Sequence, residues 1–530
     1  MSESAMYLRP NIQVEPLMDQ WYAWPHLIPP ATAARNLTDR HLKIMQSYIS
    51  SPQLHVSAVR NPKMLGGPFV DHEVEKVGEI ESLLSETVRN RSDLIELSNA
   101  ISSLDGMIQT QARGLSLCEL YERIPDILKG YVELSYDLND HPNFRFIEPL
   151  LYKSKFYSKT TQSLMLSELT GDDRPFVLST PRLESERSVH LKMSFDDDAV
   201  DYLFSLKRTP RPFGEIAERC RVAESSRLLF QSFFTPAKPP EYKCYDGEGL
   251  RWRYFGHACI LVETGGVSLL FDPVLSYTYE SGISRYTYND LPDVLDYVLI
   301  THNHQDHVLL ETLLQIRHKT RCVVVPKNGG GALQDPSLKL SLENIGFRNV
   351  LELGELQSID IPKGTITGIP FFGEHADLDI RSKMAYLLNV RSNALLFAAD
   401  SCNISPPLYT HIRDIFGDAR SLFVGMECDG APLSWLYGPL LTRHIERAKD
   451  QSRRLNGSNF NEAIAIVRAL GCREVFVYAM GQEPWLRHIM SIKYSPESNP
   501  IVQSKKLLSE CKEMGLLAEM LFGEREMYLD

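Results

Sequence analysis

A short segment rich in histidine and aspartate constrains this chain more than any other feature. Residues 301–307 read Thr-His-Asn-His-Gln-Asp-His and follow a short apolar run. Side chains two positions apart at the end of a strand point to the same side, so His302 and His304 can reach one ion. As the chain turns into a predicted helix, Asp306 and His307 can face a second ion. Imidazole and carboxylate ligands suit zinc or iron better than magnesium or calcium.

The alternative for this segment is a surface turn that happens to contain several histidines. Three of the chain's 15 histidines occur here, in a spaced pattern with an aspartate. That pattern favours a metal site.

Length and composition limit the remaining possibilities. At 530 residues the chain is too long for one core and predicts two to four domains. The formal net charge of −12, without a dense Lys/Arg patch, argues against a nucleic-acid partner. No secretory start and no membrane-length apolar run occurs, so a soluble, cytoplasmic protein with no membrane partner is expected.

The cysteines and the missing nucleotide motifs narrow the chemistry further. Nine cysteines are scattered without any Cys-x-x-Cys pair, which predicts reduced side chains rather than a disulfide framework. No iron–sulfur spacing, Gly-x-Gly-x-x-Gly or Walker sequence is present. The chain is therefore expected to carry no nucleotide, flavin or electron-relay cofactor.

A proline-rich linker at residues 234–240 divides the chain into two predicted domains. Residues 1–235 are expected to form an α+β domain, with one helix over residues 79–104 that stops at Asp105-Gly106. Residues 241–530 show short strands interleaved with helices, and a His/Asp turn follows one strand. This alternation of short strands and helices predicts an α/β fold of the αββα sandwich type.

Three further segments offer ligands to the predicted metal site. Asp400 ends an apolar strand, where its carboxylate could bridge two ions or could simply cap a turn. Residues 370–377 offer Glu374, His375 and Asp377, and the residues alone do not choose among them. Glu427 follows another strand.

Two isolated residues favour a structural interpretation. A lone histidine between strands, such as His257, is more often a hydrogen-bonded core residue than a ligand. Asp272, which precedes a proline, is likewise expected to be structural.

The motif in residues 301–307 matches the His-x-His-x-Asp-His signature of the metallo-β-lactamase superfamily. Gly256-His257-Ala258 and Phe271-Asp272-Pro273 resemble the lactonase and phospholipase D-like branch. The resemblance covers roughly residues 245–490. It implies the αββα fold, a dinuclear site and Asp400 as the bridging carboxylate.

The chain departs from the hydrolase pattern in two places. Residues 477–481, after a late strand, supply no histidine, and Glu374 competes with His375 in the middle segment. More carboxylates and fewer imidazoles favour iron over zinc. With its long N-terminal extension, the chain resembles the chloramphenicol-biosynthesis β-hydroxylase group, which are diiron monooxygenases with a metallo-β-lactamase scaffold.

This second resemblance implies a complete ligand set for two irons. His302, His304 and Glu374 would hold one iron, and Asp306 and His307 the other. Asp400 would lie between them, and Glu427 is a further candidate for the second iron. Glu374 and Asp400 would be the catalytic carboxylates.

The resemblance also implies a reaction and its partners. The enzyme would use O2 to hydroxylate the β-carbon of an amino acid, such as the aromatic p-aminophenylalanine, tethered to a nonribosomal peptide synthetase carrier domain. A separate protein would donate electrons. Members of a carrier-docking patch could include four arginines, each of which could equally be ordinary surface charge: Arg251, Arg253, Arg285 and Arg381.

Two rival functions remain, and the role of the N-terminal domain is also open. A dizinc or dimanganese hydrolase would use a metal-bridging hydroxide, and a binding protein could retain a decayed metal site. Residues 1–235 carry no ligand cluster and are expected to form a homodimer. They could instead cover the catalytic domain within a monomer.

Overall fold

Two large β-sheets packed face to face form the C-terminal part of the molecule. The computed structural model describes residues 5–530. The first sheet has seven strands, in the spatial order Val350–Leu353, Thr320–Pro326, Leu295–Leu299, Val267–Phe271, Cys259–Thr264, Leu250–Gly256 and Arg525–Leu529. The second also has seven, in the order Ser358–Ile361, Gly364–Ile369, Ala385–Val390, Asn393–Phe397, Ser421–Gly425, Glu474–Tyr478 and Leu517–Met520.

The two sheets share a pattern of antiparallel strands followed by parallel ones. In the first sheet the pairing changes to parallel between Val267–Phe271 and Leu295–Leu299. In the second it changes between Asn393–Phe397 and Ser421–Gly425. Because the carboxyl ends of neighbouring parallel strands meet at one edge, the loops that follow these strands are brought together.

The core between the sheets is aromatic. Phe271 of the first sheet stacks on Phe397 of the second, with ring centroids 3.9 Å apart. Trp252 packs edge-on against Phe423, at 5.2 Å. All four side chains are buried, and a few such rings supply much of the burial energy of a core.

Helices cover the outer faces of the two sheets. The α-helices of this half are Leu310–Ile316, Leu338–Asn344, Pro407–Phe416, Leu433–Tyr437, Arg447–Ser452, Phe460–Leu470, Arg487–Met490 and Asn499–Glu513. The 3-10 turns are Tyr288–Asp290, Arg317–Lys319, Gly438–Leu440 and Pro484–Leu486. The expected αββα sandwich is thus confirmed.

The N-terminal half is α+β, as expected. Its sheets contain Trp21–Tyr22, Ile12–Met18, Gln162–Glu168 and Ser188–Leu191; Arg211–Pro212, Ala5–Leu8 and Phe234–Thr235; and Val132–Tyr136 with Pro142–Phe146. Its α-helices are Pro30–Asn36, Leu42–Ser50, Pro52–Val59, Val77–Asn90, Ser92–Gln111, Glu148–Tyr152, Asp198–Ser205, Phe213–Arg219 and Arg227–Ser232. A π-helical turn covers Leu37–His41, and 3-10 turns cover Pro25–Leu27, Pro62–Met64, Val74–Lys76, Cys118–Arg123, Asp126–Leu128, Lys159–Thr161 and Glu224–Ser226.

The helix predicted over residues 79–104 was wrong at its end. The structure has two helices there, separated at Arg91, and the second runs to Gln111 through Asp105-Gly106. Leu104 and Ile108 are both buried on this helix. Their packing outweighs the weak helix propensity of a single glycine.

The two halves share one hydrophobic core. A single cluster of buried side chains extends from Val14 and Trp24 in the N-terminal half to Leu310 and Leu313 on the helix that follows the metal motif. A buried ion-pair network crosses the same boundary, where Arg174 binds both Glu15 and Glu311 at 2.7 Å. None of the helices formed by residues 5–530 is both long and apolar enough to span a membrane.

Candidate metal centre

The predicted metal motif lies in a loop that begins just after the strand Leu295–Leu299. His302 and His304 are therefore not within a strand, and a turn rather than strand alternation orients them. The carboxylate of Asp272 holds the start of this loop, since it accepts hydrogen bonds from Thr301 N at 2.7 Å and Thr301 Oγ1 at 2.6 Å. Asp272 itself has a positive φ of 36°. Such a conformation is strained for an aspartate and is common beside functional sites.

The first group of potential ligands consists of His302, His304 and Glu374. Their donor atoms lie within 4.8 Å of one another, and all three residues are buried. His304 Nδ1 is 2.7 Å from Glu374 Oε1, and His302 Nε2 is 3.8 Å from Glu374 Oε2. The motif of residues 301–307 and the segment of residues 370–377 thus meet at one point.

The second group is formed by His302, His307 and Asp400, and it shares His302 with the first. His307 Nε2 is 3.1 Å from Asp400 Oδ2, and His302 Nε2 is 3.8 Å from the same oxygen. Asp306 Oδ2 lies 3.6 Å from His307 Nε2. Asp400 therefore lies between the two halves of the site, where a bridging carboxylate would stand.

His257 joins a third group with Asp306 and His307. Its Nδ1 accepts the backbone N–H of Gly481 at 3.2 Å, so Nε2 carries the proton of a neutral ring. That Nε2–H points at Asp306 Oδ2, 3.0 Å away. His257 therefore orients Asp306 through a hydrogen bond, a contact to the site that the sequence did not indicate.

Each motif histidine is held in orientation by a contact to the ring nitrogen that faces away from the metal site. The Nδ1 of His307 lies 2.9 Å from Asp272, and that of His302 lies 3.0 Å from Thr301 Oγ1. On His304 the outer atom is Nε2, which lies 2.8 Å from the hydroxyl of Tyr437. Partners of this kind fix the tautomer of a ligating histidine and raise its basicity.

The middle segment places its three candidates differently. Glu374 enters the first group, with a positive φ of 64°. His375 is buried beside it, and its Nδ1 contacts Glu374 Oε2. Asp377 is exposed.

Glu427 is not part of any of the three ligand groups found among residues 5–530. It nevertheless faces the same centre. Burial, together with the charges of Asp400, Asp306 and Glu374, raises its pKa well above the usual range. Carboxylates crowded in a buried site need a cation to keep them ionised.

The electrostatics of the motif also indicate a cation. Burial and neighbouring imidazoles hold the pKa of His302 well below its usual range. Burial lowers the pKa of His304 to about 4 and raises the pKa of Glu374 to about 7. Burial opposes ionisation of Asp306 as well, but His307 and His257 hold its pKa well below the usual range. His302 and His304 are therefore neutral and ready to bind a metal. Burial opposes protonation of His307, but the charges of Asp400, Asp306 and Asp272 raise its pKa well above the usual range.

Orphaned atoms show that the residues fit a metal. His302 Nε2 and Asp400 Oδ1 are buried without any hydrogen-bond partner. Unsatisfied buried polar atoms are costly and uncommon in folded proteins. Three imidazoles and several carboxylates around two adjacent points suit a pair of transition-metal ions, iron among them.

The arginines considered for a docking patch are mostly not surface charges. Arg251 is buried and pairs with Glu263 at 2.6 Å. Arg253 is buried as well. Arg285 has a side chain that is 5% exposed and pairs with Asp172. Of the four, only Arg381 is exposed.

Fold and site together define a metallo-β-lactamase-type protein with a dinuclear metal centre. The model of the β-lactamase superfamily domain matches residues 251–389, and that of the diiron non-heme β-hydroxylase N-terminal domain matches residues 7–239.

One curated relative matches nearly the whole chain. The 4-amino-L-phenylalanyl-[CmlP-peptidyl-carrier-protein] 3-hydroxylase of Streptomyces venezuelae is 39% identical over 529 residues, 98% of this chain and 99% of that protein. The crystal structure of CmlA, a diiron β-hydroxylase from Streptomyces venezuelae, superimposes with a TM-score of 0.94 at 39% identity over all of both chains. A CmlA point mutant gives 0.91 at 39% identity, over 99% of this chain and 100% of that one.

The chain belongs to the diiron non-heme β-hydroxylase family. It is an oxygenase whose cofactor is a pair of irons, as the resemblance implied. The comparisons do not favour the hydrolase alternative.

Proposed function

We propose that this enzyme hydroxylates the β-carbon of an aromatic amino acid, such as 4-aminophenylalanine, held as a thioester on a nonribosomal peptide synthetase carrier domain. The observation that carries this proposal is the match to the relative named for that reaction, at 39% identity over both full lengths. A carrier-bound substrate needs a protein docking surface as well as a pocket for the side chain.

We assign the ligands as the family resemblance implied them. His302, His304 and Glu374 would hold one iron, and Asp306 and His307 would hold the other. Asp400 would be shared by the two irons, and Glu427 is the further candidate for the second iron. The short distances within the ligand groups and the orphaned atoms His302 Nε2 and Asp400 Oδ1 support this assignment.

Two irons held by these residues would supply the electrons that activate O2, and the protein's own side chains orient the ligands and exclude water. Asp272 and Thr301 keep two imidazoles aimed at the centre, and Tyr437 does the same for His304. We propose Glu374 and Asp400 as the carboxylates that would change how they bind the metal as the charge on the metal changes. The site is buried, which excludes bulk water from the reacting atoms.

Electron supply, location and assembly complete the proposal. The chain shows no electron-relay motif, so we assign the external electrons to a separate donor protein. All nine cysteines are free, which supports a reducing, cytoplasmic location. Residues 1–235 are proposed to form a homodimer and to present the carrier, whereas residues 241–530 carry the chemistry.

The test is reconstitution with ferrous iron, a chemical reductant, O2 and a carrier domain loaded with 4-aminophenylalanine. Mass spectrometry of the released amino acid should show the gain of one oxygen, labelled when ¹⁸O2 is used. The free amino acid, offered at the same concentration, is the control substrate and should be turned over poorly. Zinc-loaded protein that hydrolyses the thioester and inserts no oxygen would contradict the proposal.

A further inference from the structure

A pocket of about 180 Å³ lies where the two halves of the chain meet, and none of its lining residues belongs to the ligand groups of the metal centre. We call it the Lys207 pocket. Lys207, Ser276, Thr287 and Tyr288 form its buried floor, and Ala237 and Lys238 of the linker lie on its exposed rim.

Lys207 has no anionic partner in contact with it. The residue is 4% exposed, and its Nζ lies 5.2 Å from the ring centroids of both Tyr277 and Tyr288. Among residues 5–530 it has no ion pair and no side-chain hydrogen bond. Glu311 acts on it only from a distance, and Glu311 is already bound by Arg174.

Two more basic side chains lie near Tyr288. Lys319 Nζ lies 4.4 Å from the Tyr288 ring centroid and is buried without a hydrogen-bond partner. Arg208 donates to the carbonyl oxygens of Pro240 and Asn289, both at 2.6 Å. Asp293 is the carboxylate that acts on Lys319. Burial lowers the pKa of Lys319 to about 7, and Asp290 accepts hydrogen bonds from Thr287 of the pocket floor. Lys207 and Arg208 therefore carry most of the positive charge beside the pocket.

A buried cation without a counter-ion is costly, because the protein must replace its hydration. An anion entering from the rim would offset that cost through a charge-assisted hydrogen bond. At about 30 Å³ per water, the pocket has room for roughly six waters, or for one tetrahedral oxyanion with part of its hydration. Burial lowers the pKa of Lys207 to about 8, so Lys207 is still protonated in most molecules at neutral pH.

We propose that the Lys207 pocket binds a phosphate-type oxyanion, with Lys207 Nζ as its charged donor. The oxyanion is either inorganic phosphate or the phosphate of a phosphopantetheine group, since both present the same chemistry to the ammonium. The pocket shares no residue with the three ligand groups of the metal centre, and only the phosphopantetheine source rests on the carrier-bound substrate proposed above.

The test uses the iron-loaded full chain, titrated with inorganic phosphate by isothermal calorimetry at constant ionic strength, with acetate as the compensating anion. Wild type should bind phosphate saturably, and Lys207→Met should lose affinity by about tenfold or more, the scale of one charge-assisted hydrogen bond. Lys155→Met is the matched control, because Lys155 also lies over an aromatic ring, that of Phe156, but is exposed and does not line the Lys207 pocket. It should bind phosphate like wild type.

Thermal unfolding is a second test, in which Lys207→Met is not expected to lose stability although it loses phosphate affinity. In phosphate-free buffer Lys207→Met should be at least as stable as wild type, because it removes an unpaired buried charge. Phosphate should raise the Tm of wild type but not of Lys207→Met. Ala237→Glu, which leaves the floor intact and places a carboxylate on the rim, should abolish phosphate binding without unfolding the protein.

Phosphate that bound at the irons would still bind to Lys207→Met and would change the visible absorption. These two signs distinguish it from phosphate bound in the Lys207 pocket. Titration with 4′-phosphopantetheine identifies the source. Binding tighter than that of inorganic phosphate points to the carrier arm, and equal binding points to free phosphate. Phosphate affinity that is the same in wild type, Lys207→Met and Ala237→Glu would overturn the proposal, as would the absence of saturable binding to wild type.

Discussion

The hydroxyl of Tyr437 lies 2.8 Å from Nε2 of His304, on the side of the imidazole that faces away from Glu374. Both side chains are buried, and burial raises the pKa of Tyr437 well above its usual range, so the phenol stays neutral. Tyr437 ends the short helix Leu433–Tyr437. Arg40 donates to carbonyl oxygens in that helix, at Trp435 and Leu436. The N-terminal half thus supports the helix that orients a metal ligand.

Tyr437→Phe should therefore weaken iron binding. Without the hydroxyl, the outer nitrogen of His304 is buried without a partner, and the ring loses its fixed orientation. Losing such a contact typically costs about 10- to 100-fold in metal affinity or activity. Iron retained against a calibrated chelator measures the effect. Tyr152→Phe is the control, because it removes a buried hydroxyl bonded to Ser341, and it should keep its iron.

Asp400→Ala should lose most of its iron while the protein stays folded. Asp400 lies between the two halves of the site, whereas the aromatic core between the sheets does not depend on it. Elemental analysis and a thermal unfolding curve test both parts. Asp377→Ala, at an exposed acidic residue near the site, should change neither. Full iron content in Asp400→Ala would exclude the bridging role.

Glu374→Ala and His375→Ala separate the two neighbouring candidates. Because Glu374 shares a ligand group with His302 and His304, its loss should abolish O2-dependent turnover. His375→Ala should retain bound iron and some turnover. Iron content and single-turnover product are measured for both variants. The reverse pattern would return the site to the hydrolase type.

The dimer proposed for the N-terminal half has a candidate surface. Leu115 is 76% exposed, and Leu138 is fully exposed on an adjacent turn. Sedimentation of the full chain should show a dimer, and Leu115→Asp combined with Leu138→Asp should shift it to monomer with iron retained. Ile415→Asp, at a 58% exposed position in the C-terminal half, should remain dimeric. A monomeric wild type would instead favour a covering role for residues 1–235.

Glu148 should make stability depend on pH. Its carboxylate accepts the backbone N–H of Ser337 at 3.1 Å, and burial raises its pKa to about 7. The folded state thus holds this proton more tightly than the unfolded chain, whose glutamate has a pKa of 4.5. The free energy of unfolding should therefore fall as pH rises from about 4.5 to about 7, by an order of 3 kcal/mol.

Denaturant unfolding across this pH range measures the effect. Glu148→Gln keeps the acceptor oxygen and should remove this contribution. Glu343→Gln, at an exposed position on the neighbouring helix Leu338–Asn344, should leave it unchanged. An identical pH dependence in wild type and Glu148→Gln would show that Glu148 is not its source.

The sequence by itself determined the features that depend on local spacing. His302, His304, Asp306 and His307 fall within six positions, so the turn that joins strand to helix brings them together in any compatible fold. The alternating short strands and helices likewise predicted the sandwich, and the carboxylates at the ligand positions indicated iron. The assignment of individual ligands stays a prediction.

Tertiary structure decided what depends on residues far apart in the chain. Tyr437 reaches His304 across 133 positions, and Asp272 reaches His307 across 35. The continuation of a helix through Gly106 and the burial of Arg251 also come from packing against distant elements. Such contacts carry no local signal, because they exist only once the two sheets and the N-terminal half have closed around one core.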